Sequence, residues 1–309
     1  MTYFLTSSPS VAMDGAINPA NGFLDNLRRK LPYPIRCVFV TTQPDDVAFS
    51  EHCAGCMRQA FEEVGFWFEN YELLDRRTAP YVEEMMRQCN FIIFGGGHVP
   101  TQNAFLNDVD MPRLMKQFEG VAMGISAGSM NCARIVYAQP EEPGEAIDRD
   151  YVRFLPGLGL TEVQILPHYY LCKDMLVDGL RVYDEIAIPD SKSGFRRFYV
   201  FPDGTYLLGE NGTETIYGEF FLIENGVLRK VANNNQSMEL PFISYNKVAF
   251  VGKAAYFRQR LSIGKKPCII CLYSASVRGA GICLFTSSRK GKQCSIISSM
   301  VQSCWNCPF

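Results

Sequence analysis

Val121-Ala-Met-Gly-Ile-Ser-Ala-Gly-Ser129 is the stretch on which the fold turns. Its first five residues form an apolar run of strand length, and 127–136 reads as a helix directly behind it, so Ser126 falls at the junction of strand and helix. Gly124-Ile125-Ser126-Ala127-Gly128 matches G-x-S-x-G. A serine on so sharp a turn takes strained backbone angles, and its neighbours two positions away must be small to let strand and helix approach. The turn exposes Oγ at the carboxyl end of the strand, where the N–H groups of the following helix can stabilise an oxyanion. A plain strand-to-helix turn in an α/β core would also use small residues. Placement after a buried strand favours the functional reading.

Upstream, short apolar runs alternate with helical patterns. Strands are expected at 3–6, 35–42, 66–73 and 91–94, and helices at 21–31, 47–64, 81–88 and 101–118. This is the sequence form of βαβ units around a parallel sheet, so the fold class is α/β, a doubly wound and mostly parallel sheet. Downstream come a Pro/Glu-rich connection at 139–148, a strand at 159–166 and a helix at 174–186. An antiparallel meander then uses strands at 198–201, 206–209, 215–223 and 227–231. Pro202-Asp203-Gly204, Glu210-Asn211-Gly212 and Glu224-Asn225-Gly226 serve as its turn signals. Residues 1–235 are read as one domain, and 236–309, rich in Ser, Lys, Arg and Cys, as a poorly ordered appendage.

The chain of 309 residues is 47% hydrophobic and 20% charged with a net charge of −2, which is the composition of a globular protein. It offers no clustered positive charge for nucleic acid or an anionic membrane, so neither is expected as a partner. The amino-terminal stretch lacks the pattern of a secretory signal, and no apolar run reaches membrane-spanning length, so the expected location is the cytoplasm. Six of the twelve cysteines follow residue 260. Cys268-x-x-Cys271 and Cys304-x-x-Cys307 have the short spacing of zinc ligands, but a long gap separates them and no ribbon-like pattern surrounds them, so no metal is expected.

A serine nucleophile needs a base, and the chain has three histidines. His52 lies in a helical pattern beside Cys53 and Cys56 and reads as a surface residue. His98 follows Gly95-Gly96-Gly97, a loop whose N–H groups can meet an oxyanion but which lacks the spacing of a nucleotide-binding loop. His168 ends the apolar strand Val163-Gln-Ile-Leu-Pro167, on the side where strand ends meet ligands in doubly wound sheets. It is the expected base. Glu141, Glu142, Glu145 and Asp148 lie between Ser126 and His168, and any of them could orient the imidazole.

Phe-Ile-Ile-Phe-Gly-Gly-Gly (91–97), Gly-Ile-Ser-Ala-Gly-Ser (124–129), Leu-Pro-His-Tyr (166–169) and Pro-Asp-Gly-Thr (202–205) follow one another in an order that resembles the dipeptidase E and cyanophycinase family of serine peptidases. The likeness covers 1–235. It implies a flavodoxin-like fold shared with class I glutamine amidotransferases, and no metal or cofactor. Ser126 would be the nucleophile, His168 the base, and the N–H groups of Gly97 and Ala127 the oxyanion hole. The family's third catalytic member is an acid soon after the serine, in a window holding Glu141 and Glu142; Tyr137 and Gln139 align best with Glu142 in that place. The implied activity is hydrolysis of short peptides, aspartyl dipeptides or related small amides through a Ser-His-Glu triad and an acyl-enzyme; a homodimer is a candidate assembly. The family commonly has Asn where this chain has His98, which makes His98 a candidate substrate contact. Glutaminase chemistry is disfavoured because that nucleophile is cysteine, and Cys132 is poorly placed. The competing reading is a non-catalytic module that holds a small ligand in the same crevice.

Overall fold

The computed structural model describes residues 1–9, 16–193 and 196–241, together with the backbone of four strands between 250 and 285. Two compact units result, Met1–Pro241 and Phe242–Phe309. In the first, β1 (Thr2–Thr6), β2 (Ile35–Val40), β3 (Phe68–Leu74), β4 (Phe91–Phe94) and β5 (Val121–Ile125) pair in parallel in the order β3-β2-β4-β5-β1. The part β3-β2-β4-β5 has the winding of a flavodoxin-like sheet, and β1 takes the place of its next strand.

Every residue of β4 and β5 is buried, which is why both read as unbroken apolar runs rather than alternating ones. Side chains still alternate between the two faces. Phe91 and Ile93 join Phe4, Cys37 and Phe61 in one core, while Ile92 and Phe94 join Leu5, Val38 and Phe105 in another. Helices α1 (Phe23–Lys30) and α2 (Val47–Glu63) cover the first face through Phe23, Leu27, Ala54 and Phe61. Helices α3 (Val82–Gln88), α4 (Val99–Asp108) and α5 (Met111–Met115) cover the second through Met85, Phe105 and Leu114. The single helix expected at 101–118 is therefore two, parted at Asp110, which adopts a left-handed conformation (φ 52°).

Other departures have equally local causes. Helix α6 (Ala127–Asn131) is short, because Ile135–Tyr137 leaves it to pair as β6 with β7 (Phe154–Pro156). Strand β8 (Gln164–Leu166) occupies only the end of its expected span and leads to α7 (Tyr169–Cys172). The helix expected at 174–186 begins instead with the hairpin β9 (Leu176–Val177) and β10 (Leu180–Arg181), turned at Asp178-Gly179, both at positive φ. A short helical stretch then leads to α8 (Ile188–Lys192).

The carboxyl-terminal antiparallel part is present but divided between two sheets. Strand β11 (Arg197–Val200) lies parallel to β8 and antiparallel to β14 (Phe220–Glu224), which pairs with β15 (Val227–Ala232). Strand β12 (Tyr206–Glu210) pairs with β1 and β13 (Thr213–Tyr217), and β16 (Ser237–Leu240) closes that edge of the main sheet. The expected strand 215–223 thus breaks at Gly218 (φ 107°). Glu210-Asn211-Gly212 and Glu224-Asn225-Gly226 do turn hairpins; Pro202-Asp203-Gly204 instead carries the chain from one sheet to the other.

The expected boundary near 235 falls before β16, and the first unit runs on to Pro241. The second unit contains strands Phe250–Val251, Ala254–Ile263, Lys266–Tyr273 and Gly281–Phe285 in an antiparallel sheet of its own. Cys304 and Cys307, and the side chains of Cys268 and Cys271, lie outside the described residues. No helix among the described residues is long and apolar enough to cross a membrane.

Candidate active site

Strand β5 delivers Ser126 to the carboxyl edge of the sheet with φ 50° and ψ −113°, outside the regions ordinary residues occupy and at a cost of about 1–3 kcal/mol. The surrounding contacts impose that geometry. A Cβ on Gly124 would fall 2.7 Å from the Ser129 Cα, and one on Gly128 would collide with the Phe94 carbonyl oxygen. From the end of β1, the carbonyls of Thr6 and Ser7 both accept the Ser126 N–H at 3.1 Å. Ser129 Oγ donates to the same Thr6 carbonyl at 2.7 Å, and Thr6 Oγ1 donates to the Gly124 carbonyl at 2.8 Å.

The glycine loop after β4 lies against this elbow. Gly95 N–H donates to the Val40 carbonyl at 2.9 Å, and Thr42 Oγ1 donates to the Gly96 carbonyl at 2.8 Å. A Cβ on Gly96 would come 3.4 Å from the Ser126 Cβ, and one on Gly97 (φ 145°) would collide with Thr42 Oγ1. Neither the Gly97 N–H nor the Ala127 N–H has an acceptor among the described residues. Ala127 opens α6, where the first N–H groups have no intrahelical carbonyl to meet.

His168 follows β8 in a left-handed conformation (φ 57°, ψ 38°). Its Nδ1 lies 2.7 Å from Asp203 Oδ1. A carboxylate only accepts, so Nδ1 carries a proton, and whenever the ring is neutral Nε2 presents its lone pair. Asp203 also accepts from Ser7 Oγ at 2.7 Å. Burial acts to raise the Asp203 carboxyl, but the hydrogen bond and charge of His168 and the Ser7 bond outweigh it and hold the group below its ordinary value. Among the described residues neither Ser126 Oγ nor His168 Nε2 has a hydrogen-bond partner.

The third place expected of Glu142 is structurally different. Glu142 is exposed, and its N–H donates to Glu145 Oε2 at 3.0 Å. Glu145 is the clasp of this loop. Its Oε2 also accepts the Glu141 N–H at 2.9 Å, and its Oε1 lies 2.8 Å from His98 Nε2. His98 Nδ1 meets Thr101 Oγ1 at 2.7 Å, so the ring is used at both nitrogens. A ring nitrogen of His98 and carboxylate oxygens of Glu142 and Glu145 lie within 4.8 Å of one another, the first and last joined by the bond just given. Glu141 is exposed, yet desolvation by the protein around it lifts its carboxyl to about 7 against the lowering influence of His98 and His168. Cys132 is fully buried, which pushes its thiol far up, and His52 lies on α2 with its ring 3.7 Å from Cys56 Sγ.

Nothing in the sequence by itself singles out Asp203 and Ser7, which the structure brings to His168. Because β8 and β11 are parallel neighbours, the first acid beyond β11 arrives beside the histidine beyond β8; that pairing was the available signal.

The sequence pattern of peptidase family S51 matches residues 4–213, which spans the elbow, the glycine loop, His168 and Asp203. The chain belongs to peptidase family S51. As an S51 member it is a serine-type peptidase. Its fold is similar to that of a peptidase from an acI-B1 Actinobacterium, with a TM-score of 0.56 at 16% identity over 77% of this chain and 96% of that one. A "Putative Peptidase E Protein" from Listeria monocytogenes EGD-e aligns with a TM-score of 0.48 at 16% identity, over 75% of this chain and 98% of that one. No curated protein matches the S51 chain in sequence.

Proposed function

We propose that this S51 peptidase hydrolyses short peptides by attack of Ser126 on the amide carbonyl, with His168 as base and Asp203, rather than Glu142, as the acid that orients it. The observation that carries the reading is the 2.7 Å contact between His168 Nδ1 and Asp203 Oδ1 beside the strained elbow of Ser126. In the first step the Ser126 Oγ–C bond forms as its proton passes to His168 Nε2, and the carbonyl oxygen takes the negative charge. The N–H groups of Gly97 and Ala127, without acceptors of their own, are suited to hold that oxyanion. His168 then gives the proton to the departing amine, and water, deprotonated by the same imidazole, hydrolyses the acyl-enzyme.

Glu141, whose charge interacts with that of His168, favours a substrate end bearing positive charge, as the free amino terminus of a short peptide does. Aspartyl dipeptides head the substrate panel because of the likeness to dipeptidase E, with β-aspartyl peptides and simple esters beside them. A cytoplasmic location and a homodimeric assembly belong to the same proposal; fractionation and light scattering test them.

A fluorophosphonate probe tests the chemistry directly, since Ser126 Oγ would displace fluoride from phosphorus. Mass spectrometry is expected to place the adduct on Ser126, and Ser126→Ala to abolish both labelling and dipeptide turnover while melting like the parent. Equal turnover by the folded Ser126→Ala protein would end the reading.

A further inference from the structure

Ser7 stands one residue beyond β1 and is completely buried. Its hydroxyl has three neighbours. It lies 2.7 Å from Asp203 Oδ1, 3.1 Å from the Phe201 carbonyl oxygen and 2.8 Å from the His168 N–H, which donates to it. A hydroxyl has one hydrogen and two lone pairs, so the N–H takes a lone pair and the hydrogen goes to an oxygen. Asp203 is the stronger acceptor: it is the nearer of the two and is held in its charged form, and hydrogen bonds to ionised groups are the shorter and stronger ones. Ser7 therefore gives its hydrogen to the acid while receiving one from the backbone of the base.

The second contact has a conformational meaning. His168 sits at φ 57°, a region a histidine seldom occupies without support. Its N–H is fixed there by the same oxygen whose hydrogen fixes Asp203. The Ser7 main chain is engaged as well, since its carbonyl accepts the Ser126 N–H at 3.1 Å and its own N–H donates to the Thr205 carbonyl at 3.1 Å, two residues from Asp203. One buried residue thus touches the backbone of the nucleophile, the backbone of the base and the carboxylate of the acid.

We propose that Ser7 is the positioning residue of this site, setting the orientation of the Asp203 carboxylate and, through it, of the His168 imidazole. The inference rests on Ser126, His168 and Asp203 acting as the catalytic group. It asks more than filling space. A hydroxyl that merely satisfied a buried strand end would alter stability and leave the protonation of the His168–Asp203 pair alone. A hydroxyl that donates to Asp203 lowers the basicity of the carboxylate, so its removal makes the pair hold its protons to higher pH.

The test uses Ser7→Ala in the full chain, checked for parental melting behaviour. Fluorophosphonate labelling of Ser126 is expected to slow about 10- to 100-fold, the range of a lost hydrogen bond to a charged group. The acidic limb of its pH profile is expected to move to higher pH. In an Asp203→Asn background, Ser7→Ala is expected to add less than about 3-fold, because residues acting through one another are not additive. Slowing with an unmoved limb and full additivity would reduce Ser7 to a structural residue and overturn the proposal, as would unchanged labelling. Should the alanine variant not fold, Ser7→Cys fills the site with a weaker donor, and the same limb shift is expected. The His168 Nδ1 proton resonance in labelled protein gives a reading independent of activity. It is expected to shift in Ser7→Ala, and an unmoved resonance would refute the role of Ser7. If the parent is never labelled, the serine-hydrolase reading fails while that resonance still decides for Ser7.

Discussion

Asp203 Oδ1 and His168 Nδ1 are 2.7 Å apart, joined across 35 residues of chain, the acid in the crossing between two sheets and the imidazole just beyond β8. Asp203→Asn is expected to lower kcat/KM about 1,000-fold, since an amide stabilises neither the required tautomer nor the imidazolium. Glu142→Gln is expected to stay within about 3-fold. Fluorophosphonate labelling rates measure both. Asp203 is held below its ordinary 3.8, so its stabilising contribution is complete above that pH and fades as pH falls through the lower folded-state value. The melting advantage of the parent over Asp203→Asn should therefore be full at pH 7 and shrink below about pH 4.

Glu141 carries the opposite sign. Its carboxyl is lifted from 4.5 to about 7, so the folded protein holds a proton there that the unfolded chain releases. Stability should fall as pH rises across that interval and level off above it. Glu141→Gln removes the cost, and urea unfolding is expected to find it more stable than the parent by about 1 kcal/mol at pH 8, allowing for solvent screening, and equal to it at pH 4.

Glu145 accepts from two consecutive N–H groups and from His98, so Glu145→Ala strands three donors at once. The expected consequence is a loosened 139–148 segment with the sheets intact. Trypsin should cut after the exposed Arg149 several-fold faster than in the parent, with little change in melting temperature. Equal cleavage rates would show that the clasp does not hold the loop.

Two glycines set an internal contrast. Gly128 has no room for a Cβ beside the Phe94 carbonyl, and Gly128→Ala is expected to cost more than about 2 kcal/mol. Gly55 on α2 has nothing within 4 Å of its would-be Cβ, and Gly55→Ala is expected to stabilise by about 0.5–1 kcal/mol. Chemical denaturation of both measures the pair.

The elbow was legible because its signal is local: Gly124, Ser126 and Gly128 fit only where a strand meets a helix at close quarters. The place of His168 at a strand end was legible because Val163–Pro167 is an apolar run. Asp203 was not, for Pro202-Asp203-Gly204 carries the same signal as any exposed turn, and the carboxylate's partner is set by which strands become neighbours. The same blindness merged β13 and β14 into one expected strand, because Gly218 redirects the chain without interrupting its apolar pattern. Order along the chain leaves four acids open, and the resemblance names Glu142 through Tyr137 and Gln139, which says nothing of which carboxylate meets the ring.

Strand β1 is made well ahead of β12, its partner on one side, with residue Thr6 lying opposite Tyr206. During synthesis the strained serine and the glycine loop are both on hand long before that neighbour exists. The β8–β11 pairing sets Asp203 beside His168, and only when β12 docks on β1 does the Pro202–Gly204 crossing bring that acid to Ser7. Such long-range pairings are the slow, late contacts of a folding chain. Under the proposed roles, a copy made only as far as the elbow carries its nucleophile without a base, and hydrolytic power arrives together with the finished sheet.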